Sequence, residues 1–205
     1  MRVKICGVTS IRDALSIAEL GADMLGFIGE PGTLRFVKPD FLRVVRAGVS
    51  KPLVYVRVNG EMRKVFEEGK YADYIQIHRV LSERELEDLM SLEPRKFILY
   101  VPANDIGSSY IRKVDNLGLT PLIDSPKRGQ KVDPKVLAEK FKGFLSRSGI
   151  GGGITPDNVK EYMALDPMFI DVSSGVEELP GKKDLSKVSR MIEVIKGESP
   201  KPNFS

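Results

Sequence analysis

The chain has 205 residues, of which 41% are hydrophobic and 29% are charged, as expected for a single globular domain with a full core. The net charge of +4 comes from interspersed basic and acidic residues, which disfavours nucleic-acid binding and suits a small anionic substrate. No apolar run is long enough to span a membrane, no signal-peptide pattern opens the chain, and one cysteine cannot form an internal disulfide. We therefore expect a cytoplasmic protein without a membrane partner.

Apolar strand patterns alternate with amphipathic helix patterns along the chain. The predicted strands are Arg2–Cys6, Asp23–Ile28, Pro52–Val58, Tyr74–His78, Lys96–Val101, Thr120–Asp124, Ile150–Gly152 and Met168–Val172. The predicted helices are Ser10–Leu20, Pro39–Ala47, one from Glu61, Ser82–Leu89, Ser108–Asn116, Asp133–Leu145, one from Pro156, and Leu185–Ile195. Ser82 and Glu85 form a capping-box pattern, and Thr155-Pro156 is typical of a helix cap followed by a first-turn proline.

Eight strand–helix units predict parallel strands joined by right-handed crossovers. Such units close into a (β/α)8 TIM barrel, and about 26 residues per unit leave little room for a second domain. The alternative is an open doubly wound sheet, which requires that two of the eight predicted strands, the weak seventh among them, are not strands. We expect a single-domain barrel over residues 1–196 and a loose tail over residues 197–205, which contain two prolines.

Polar side chains close several of the apolar strands, at the end of the barrel where active sites of this fold lie. Cys6 ends the first strand, His78 the fourth and Asp124 the sixth. A lone thiol in this position can act as a base, a nucleophile or a metal ligand. A plain packing role is the alternative for Cys6, because free cysteine is among the most buried residue types.

Two turns near the C-terminus predict a phosphate site. One is the glycine triplet 151–153 before the helix predicted from Pro156, and the other follows the eighth strand. Glycine lets the backbone approach an anion, and free amides of a turn or helix start bind it. Loops after strands seven and eight commonly hold phosphate in this fold. The residues expected to contact the phosphate are Gly152, Gly153, Ser173, Ser174 and Gly175.

A series of motifs, in order along the chain, resembles the phosphoribosylanthranilate isomerase family. The motifs are Lys4–Thr9, Gly21–Asp23 with Gly26-Phe27, Gln76–His78, Ile123–Ser125, Gly152–Val159 and Ile170–Glu177. The resemblance extends through about residue 196. The first and last motifs are specific to that family, whereas the double-glycine turn is shared with other phosphate-binding barrels.

The resemblance implies an isomerase of tryptophan biosynthesis that works without a cofactor or metal. The implied reaction is an Amadori rearrangement of N-(5-phosphoribosyl)anthranilate to 1-(2-carboxyphenylamino)-1-deoxyribulose 5-phosphate. By the same resemblance, Asp124 is the acid that protonates the furanose oxygen, and Cys6 is the base that removes the C2 proton. These roles require that the pKa of Asp124 is raised, and that nearby positive charge lowers the pKa of Cys6.

Substrate-binding roles also follow from the resemblance. It implies that Arg35 pairs with the anthranilate carboxylate, for which a guanidinium fork is suited, and that Asp171 holds a ribose hydroxyl. His78 is expected to bind substrate as well. The alternative for Arg35 is a solvated loop arginine, and for Asp171 it is a cap or loop anchor. For His78 the alternative is a core or rim histidine with a satisfied ring. Arg57, where the family often has Phe, is an alternative partner for the carboxylate.

The loop after the sixth strand departs from the family. Residues 126–130 read Pro-Lys-Arg-Gly-Gln where the family usually has Gly-Gly-Thr-Gly, which keeps a non-catalytic phosphosugar-binding barrel open as an alternative. A related histidine-pathway sugar isomerase is a second alternative, but that family uses two aspartates. Cys6 argues against the sugar isomerase. The presence of both Cys6 and Asp124 argues against the non-catalytic barrel. The expected partner is a phosphorylated small molecule, the expected state a monomer or homodimer, and no residue cluster has metal-ligand spacing.

Overall fold

Eight parallel strands close into a barrel in the computed structural model, which describes residues 1–127 and 130–197. The strands are β1 (Arg2–Cys6), β2 (Met24–Ile28), β3 (Leu53–Arg57), β4 (Tyr74–Ile77), β5 (Phe97–Pro102), β6 (Thr120–Asp124), β7 (Gly149–Ile150) and β8 (Phe169–Val172). They pair in chain order, and β8 returns to β1. The predicted (β/α)8 fold is confirmed, and the open-sheet alternative is wrong.

A helix follows each strand. The helices are α1 (Ile11–Leu20), α2 (Asp40–Arg46), α3 (Met62–Glu68), α4 (Glu83–Met90), α5 (Asp105–Asn116), α6 (Pro134–Lys140), α7 (Val159–Met163) and α8 (Leu185–Lys196). Gly197 caps α8, and the rest of the predicted tail, residues 198–205, lies outside the described residues. The domain boundary at residue 196 therefore stays a prediction. Within residues 1–127 and 130–197, no helix is long and apolar enough to cross a bilayer.

Local side-chain chemistry explains where several helices begin and end. The capping box of α4 is present, because the Ser82 hydroxyl accepts from the Glu85 amide and the Glu85 carboxylate accepts from the Ser82 amide. Helix α5 begins earlier than predicted because Asn104 caps it. Helix α6 ends at Lys140 rather than Leu145, since the chain then reaches Gly143 at φ +89°, a conformation that glycine adopts without strain.

The predicted start of α7 at Pro156 is wrong, because the regular helix begins only at Val159. The Asn158 side chain accepts from the Thr155 amide at 2.8 Å and donates to the Gly153 carbonyl at 3.0 Å. Such local side-chain bonds to the backbone compete with helical bonding. Residues 156–158 therefore form a turn, and α7 has only five residues.

A small hairpin after β8 was not predicted. Strands β9 (Glu177–Leu179) and β10 (Lys182–Lys183) pair antiparallel to each other, outside the barrel sheet. The buried side chains of Glu177 and Lys183 bind each other across this hairpin, with Nζ and Oε1 2.8 Å apart. The hairpin thus brings Glu177 and Lys183 to the C-terminal ends of β1 and β8. There Lys183 also donates to the Cys6 carbonyl.

Two apolar layers support the barrel. The larger one fills the space between sheet and helices, and the smaller one lies inside the barrel. The inner layer consists of Cys6, Met24, Val54, Val56, Ile98, Leu122 and Phe169. Because side chains alternate along a strand, the inward positions of β1, β4 and β8 also place Lys4, Gln76 and Asp171 inside, and all three are buried. These polar groups form the floor of the candidate site.

Candidate active site

A cavity of about 410 Å³ opens at the C-terminal end of the barrel. The structure brings every predicted site residue to its wall: Cys6, Arg35, His78, Asp124, Gly152, Gly153, Asp171, Ser173, Ser174 and Gly175. Further wall residues are Ile28, Glu30, Thr33, Val56, Val58, Gln76, Ser125, Lys127 and Ile154. Arg57 is not among the lining residues. The roles assigned from the sequence stay predictions, but the placement that they require is present.

A buried ion pair lies at the base of the cavity. The Lys4 ammonium lies 3.0 Å from both carboxylate oxygens of Asp171, and it donates to Gln76 Oε1 at 2.8 Å. Burial lowers the pKa of Lys4, but the charges of Asp171 and Cys6 and the hydrogen bonds to these two side chains together outweigh it, and the pKa is raised. Lys4 is therefore charged, and it links β1 to β8 and β4.

The Cys6 thiol is buried beside this pair and is 6% exposed. Gly26 on the neighbouring strand makes room for it, since a Cβ there would lie 2.8 Å from the sulfur. Burial raises the pKa of Cys6; the positive charge of Lys4 opposes this rise, and the negative charge of Asp171 adds to it. The expectation of a lowered thiol pKa is therefore wrong for the substrate-free protein, because burial outweighs the positive charge that the prediction relied on.

Asp124 differs from an ordinary surface carboxylate. Burial raises the pKa of Asp124 to about 7, and the charge of Asp171 adds to the rise. The Ser125 amide donates to Oδ1 at 2.5 Å and partly opposes it. Added Cβ atoms at Gly151 and Gly152 would lie 2.8 and 2.7 Å from this carboxylate, so part of the glycine triplet makes space for it. The shift has the direction that an acid role requires.

His78 faces Asp124 across the cavity, with 3.9 Å between Nε2 and Oδ2. Its other ring nitrogen, Nδ1, lies 3.1 Å from the Gln76 side-chain nitrogen. The ring also packs against Tyr100 with 4.6 Å between centroids. His78 is thus a member of a polar cluster at the cavity wall, and its role in substrate binding stays a prediction.

The Arg35 guanidinium reaches the cavity and is held at one edge by Glu177. Nε and Nη2 donate to the two carboxylate oxygens at 2.8 and 2.6 Å. Burial would raise the pKa of Glu177, but the bonds from Arg35 and Lys183 bring it to about 2. Within residues 1–127 and 130–197, Nη1 of Arg35 has no protein acceptor, so the outer edge of the fork is directed to other ligands.

Arg57 is engaged elsewhere. Its Nε lies 3.2 Å from Glu30 Oε2, its Nη1 pairs with Glu68, and its Nη2 donates to the Asn59 carbonyl at 3.0 Å. These contacts join the end of β3 to Glu30 after β2, to the last residue of α3 and to the loop between β3 and α3, and they occupy the guanidinium of Arg57 with protein partners. The arrangement favours Arg35 over Arg57 as the carboxylate partner.

The two predicted phosphate turns lie side by side. Gly175 packs against the loop after β7, where an added Cβ would meet the Ile154 carbonyl at 1.9 Å. In the described part of the chain, the amides of Gly152, Gly153 and Gly175 donate no hydrogen bond to protein. Because α7 begins later than predicted, the turn amides rather than a helix start at Pro156 form this anion-ready surface.

Reasoning from the sequence assigned no contacts to several charged or polar members of the site. Lys4 and Gln76 were visible at inward positions of their strands, yet their mutual contact joins residues 72 positions apart. Glu177 and Lys183 were not assigned any role, because the hairpin that carries them was not predicted. No group of three or more His, Cys, Asp or Glu side chains within residues 1–127 and 130–197 is arranged to hold a metal ion.

Comparison with known proteins identifies the family. The family model described as N-(5'phosphoribosyl)anthranilate (PRA) isomerase matches residues 3–194. The N-(5'-phosphoribosyl)anthranilate isomerases of Sulfolobus acidocaldarius and Saccharolobus solfataricus are 42% identical over 196 residues and 40% identical over 198 residues, with 96% of each chain covered. A crystal structure of phosphoribosyl anthranilate isomerase in complex with reduced 1-(o-carboxyphenylamino)-1-deoxyribulose 5-phosphate superposes with a TM-score of 0.81 at 28% identity, covering 97% of this chain and 100% of that one. The chain belongs to the N-(5'-phosphoribosyl)anthranilate isomerase family.

Proposed function

We propose that this chain is the enzyme that isomerises N-(5'-phosphoribosyl)anthranilate to 1-(2-carboxyphenylamino)-1-deoxyribulose 5-phosphate, a step of tryptophan biosynthesis. The observation that carries the proposal is a thiol and a proton-bearing carboxyl group on different strands of one cavity. Cys6 ends β1 and Asp124 ends β6, and both line the cavity. Neither group is needed to bind a phosphosugar, so their presence favours catalysis over simple binding.

Asp124 supplies the proton that opens the sugar ring. With a pKa of about 7, a substantial fraction of this carboxyl group is protonated at neutral pH, and it donates to the furanose oxygen as the bond from that oxygen to C1 breaks. The nitrogen lone pair forms the C1 imine. The phosphate and carboxylate of the substrate add negative charge to the cavity, which favours the protonated carboxyl group further.

Cys6 removes the proton from C2 in the second step. The electron pair of the C–H bond forms the enolamine, and tautomerisation then yields the ketone. Because the pKa of Cys6 is raised, the thiolate is the minor form in the substrate-free protein, and the charged Lys4 stabilises it. Only a minor fraction of Cys6 is therefore in the thiolate form that acts as the base, whereas a substantial fraction of Asp124 is in the protonated form that acts as the acid.

Anchoring groups hold the two ends of the substrate. The outer edge of the Arg35 fork faces the cavity and suits the anthranilate carboxylate. The free amides at Gly152, Gly153 and Gly175 suit the phosphate. Asp171 lines the cavity while paired with Lys4, which supports a role for its carboxylate as the acceptor of a ribose hydroxyl.

The test is a direct assay with freshly generated phosphoribosylanthranilate, whose fluorescence is lost on isomerisation. We expect turnover that Cys6→Ala and Asp124→Asn each abolish or greatly reduce. Binding of product without turnover in the wild-type protein would identify a phosphosugar-binding barrel instead. A cytoplasmic location fits the reduced single cysteine, and it stays a prediction, as does the choice between a monomer and a homodimer.

A further inference from the structure

A chain of polar contacts crosses the barrel from β8 to β6. It runs from Asp171 through Lys4 to Gln76 and on to His78, with contacts of 3.0, 2.8 and 3.1 Å. Its last step leads from His78 Nε2 to Asp124 Oδ2 at 3.9 Å. Lys4 and Gln76 are almost entirely shielded from solvent. The chain therefore connects the ion pair beside Cys6 to the carboxyl group on the far side of the cavity.

The two hydrogen bonds of the Gln76 side chain determine which nitrogen of His78 carries the proton. An ammonium group only donates, so the Gln76 atom that faces Lys4 is the amide oxygen. The amide nitrogen of Gln76 then faces His78 Nδ1, and an amide nitrogen also only donates. Nδ1 must accept, and in the neutral ring the single proton is on Nε2.

Packing holds the ring in this orientation. The His78 ring contacts Tyr100 in a tilted arrangement of 46° between the planes. Gln76 itself is 1% exposed, so water does not compete freely for its amide. The neutral imidazole consequently directs an N–H donor toward Asp124 rather than a lone pair.

We propose that Gln76 is a positioning residue that fixes His78 as the Nε2–H tautomer, so that an N–H donor faces Asp124. When Asp124 has given its proton to the substrate, the new carboxylate receives stabilisation from that N–H group. The opposite tautomer would direct a lone pair at the carboxyl group and compete for the proton that the substrate needs. The kinetic consequence rests on the proposed function, whereas the tautomer itself does not.

His78 is the only histidine in the chain, so nitrogen-15 spectra report its protonation without ambiguity. In the wild-type protein at about pH 8.5, where an ordinary histidine is neutral, we expect a protonated Nε2 and an unprotonated Nδ1. Gln76→Glu places an acceptor at Nδ1 and should move the proton there, or protonate both nitrogens. Gln76→Met removes the donor without adding charge and should yield a mixture of tautomers. Gln130→Met, at an exposed position, is the control and should leave the spectrum unchanged.

The kinetic arm separates this proposal from the proposed function. We expect Gln76→Glu and Gln76→Met each to lower kcat by about 10-fold or more, with a smaller change in KM. This decrease in kcat should be smaller than the decrease caused by Asp124→Asn, which removes the acid itself. Wild-type protein with the Nδ1–H tautomer, or variants with an unchanged tautomer, would overturn the proposal whatever the activity. A changed tautomer with full turnover would overturn the positioning role. Absence of turnover in the wild-type protein would contradict the proposed function and leave the assignment of the tautomer to be decided by the spectra alone.

Discussion

The cavity has a thiol side, where Cys6 ends β1, and a carboxyl side, where Asp124 ends β6, and burial raises the pKa on both sides. For Asp124 the raised pKa favours the protonated form, which is the working form of an acid. For Cys6 it disfavours the thiolate, which is the working form of a base. The positive charges of Lys4 and Lys183 oppose the rise at Cys6. The comparison indicates that desolvation favours the working form of an acid, whereas a buried base also needs fixed positive charge.

The carboxyl side carries a cost in stability. In the unfolded chain Asp124 titrates near 3.8, and in the folded chain near 7. The protonated carboxyl group therefore contributes stability that is fully present below the unfolded pKa and is lost as the pH rises through the folded pKa. The loss amounts to about 4 kcal/mol at most for a shift of about three pKa units. Such a cost is expected where a site is built for catalysis rather than for stability.

Removing either group gives the largest expected effect. Cys6→Ala and Asp124→Asn should each lower kcat by on the order of 10²–10⁴-fold, because in the proposed mechanism each acts on a different proton and neither replaces the other. KM should change much less, since the anchoring groups remain. Cys6→Ser should also be poor, because a hydroxyl forms almost no anion at neutral pH. Steady-state kinetics measure both parameters, and near-normal turnover of Cys6→Ala would reduce the thiol to a packing role.

Lys4→Met tests the contribution of the buried positive charge on the thiol side of the cavity. It leaves Asp171 buried without its partner, and loss of one member of a buried pair costs about 3–5 kcal/mol in the free energy of unfolding. It also removes the charge that opposes the rise in the pKa of Cys6, so alkylation of the thiol by iodoacetamide should slow. Lys131→Met is the control, because Lys131 pairs with Glu161 at the surface and should cost less than about 1 kcal/mol. Equal losses in the two variants would show that the buried pair has no special role.

Arg35→Lys tests the proposed partner of the anthranilate carboxylate, and its expected effect on activity is smaller than that of removing Cys6 or Asp124. A lysine cannot reproduce a bidentate fork, so the barrier in kcat/KM should rise by roughly 1.5–3 kcal/mol. Arg57→Lys is the matched control, and because Arg57 lies outside the cavity wall, its kcat/KM should stay near the wild-type value. A larger loss from the Arg57 variant would transfer the carboxylate-binding role to that residue.

The sequence was sufficient to predict the barrel and the residues at its mouth, because both follow from local pattern. Strand ends and strand alternation bring Cys6, Asp124 and Asp171 to one end and one face, and the order of strands and helices predicts the closure. The start of α7 was not predictable in this way, since the side chain of Asn158 bonds to nearby backbone in place of helical bonding.

Contacts between distant parts of the chain were beyond the sequence. Glu177 binds Arg35 from 142 positions away, and Asp171 binds Lys4 from 167 positions away. The balance between burial and charge at Cys6 depends on these distances and decides the direction of its pKa. The chemistry of the residue types, together with the family resemblance, led to the roles proposed for Cys6 and Asp124, and only the closed barrel shows what each side chain faces.

The most direct test of the contrast between the two sides is the titration of Asp124 in the substrate-free protein. Carbon-13 NMR of protein labelled at the aspartate side-chain carboxyl carbon reports each titration, and Asp124→Asn identifies the resonance by its loss. We predict a midpoint close to pH 7, well above the ordinary value because burial disfavours the carboxylate. A midpoint near 4, the value of an exposed aspartate, would contradict the account, because Asp124 would then hold almost no proton to donate at neutral pH.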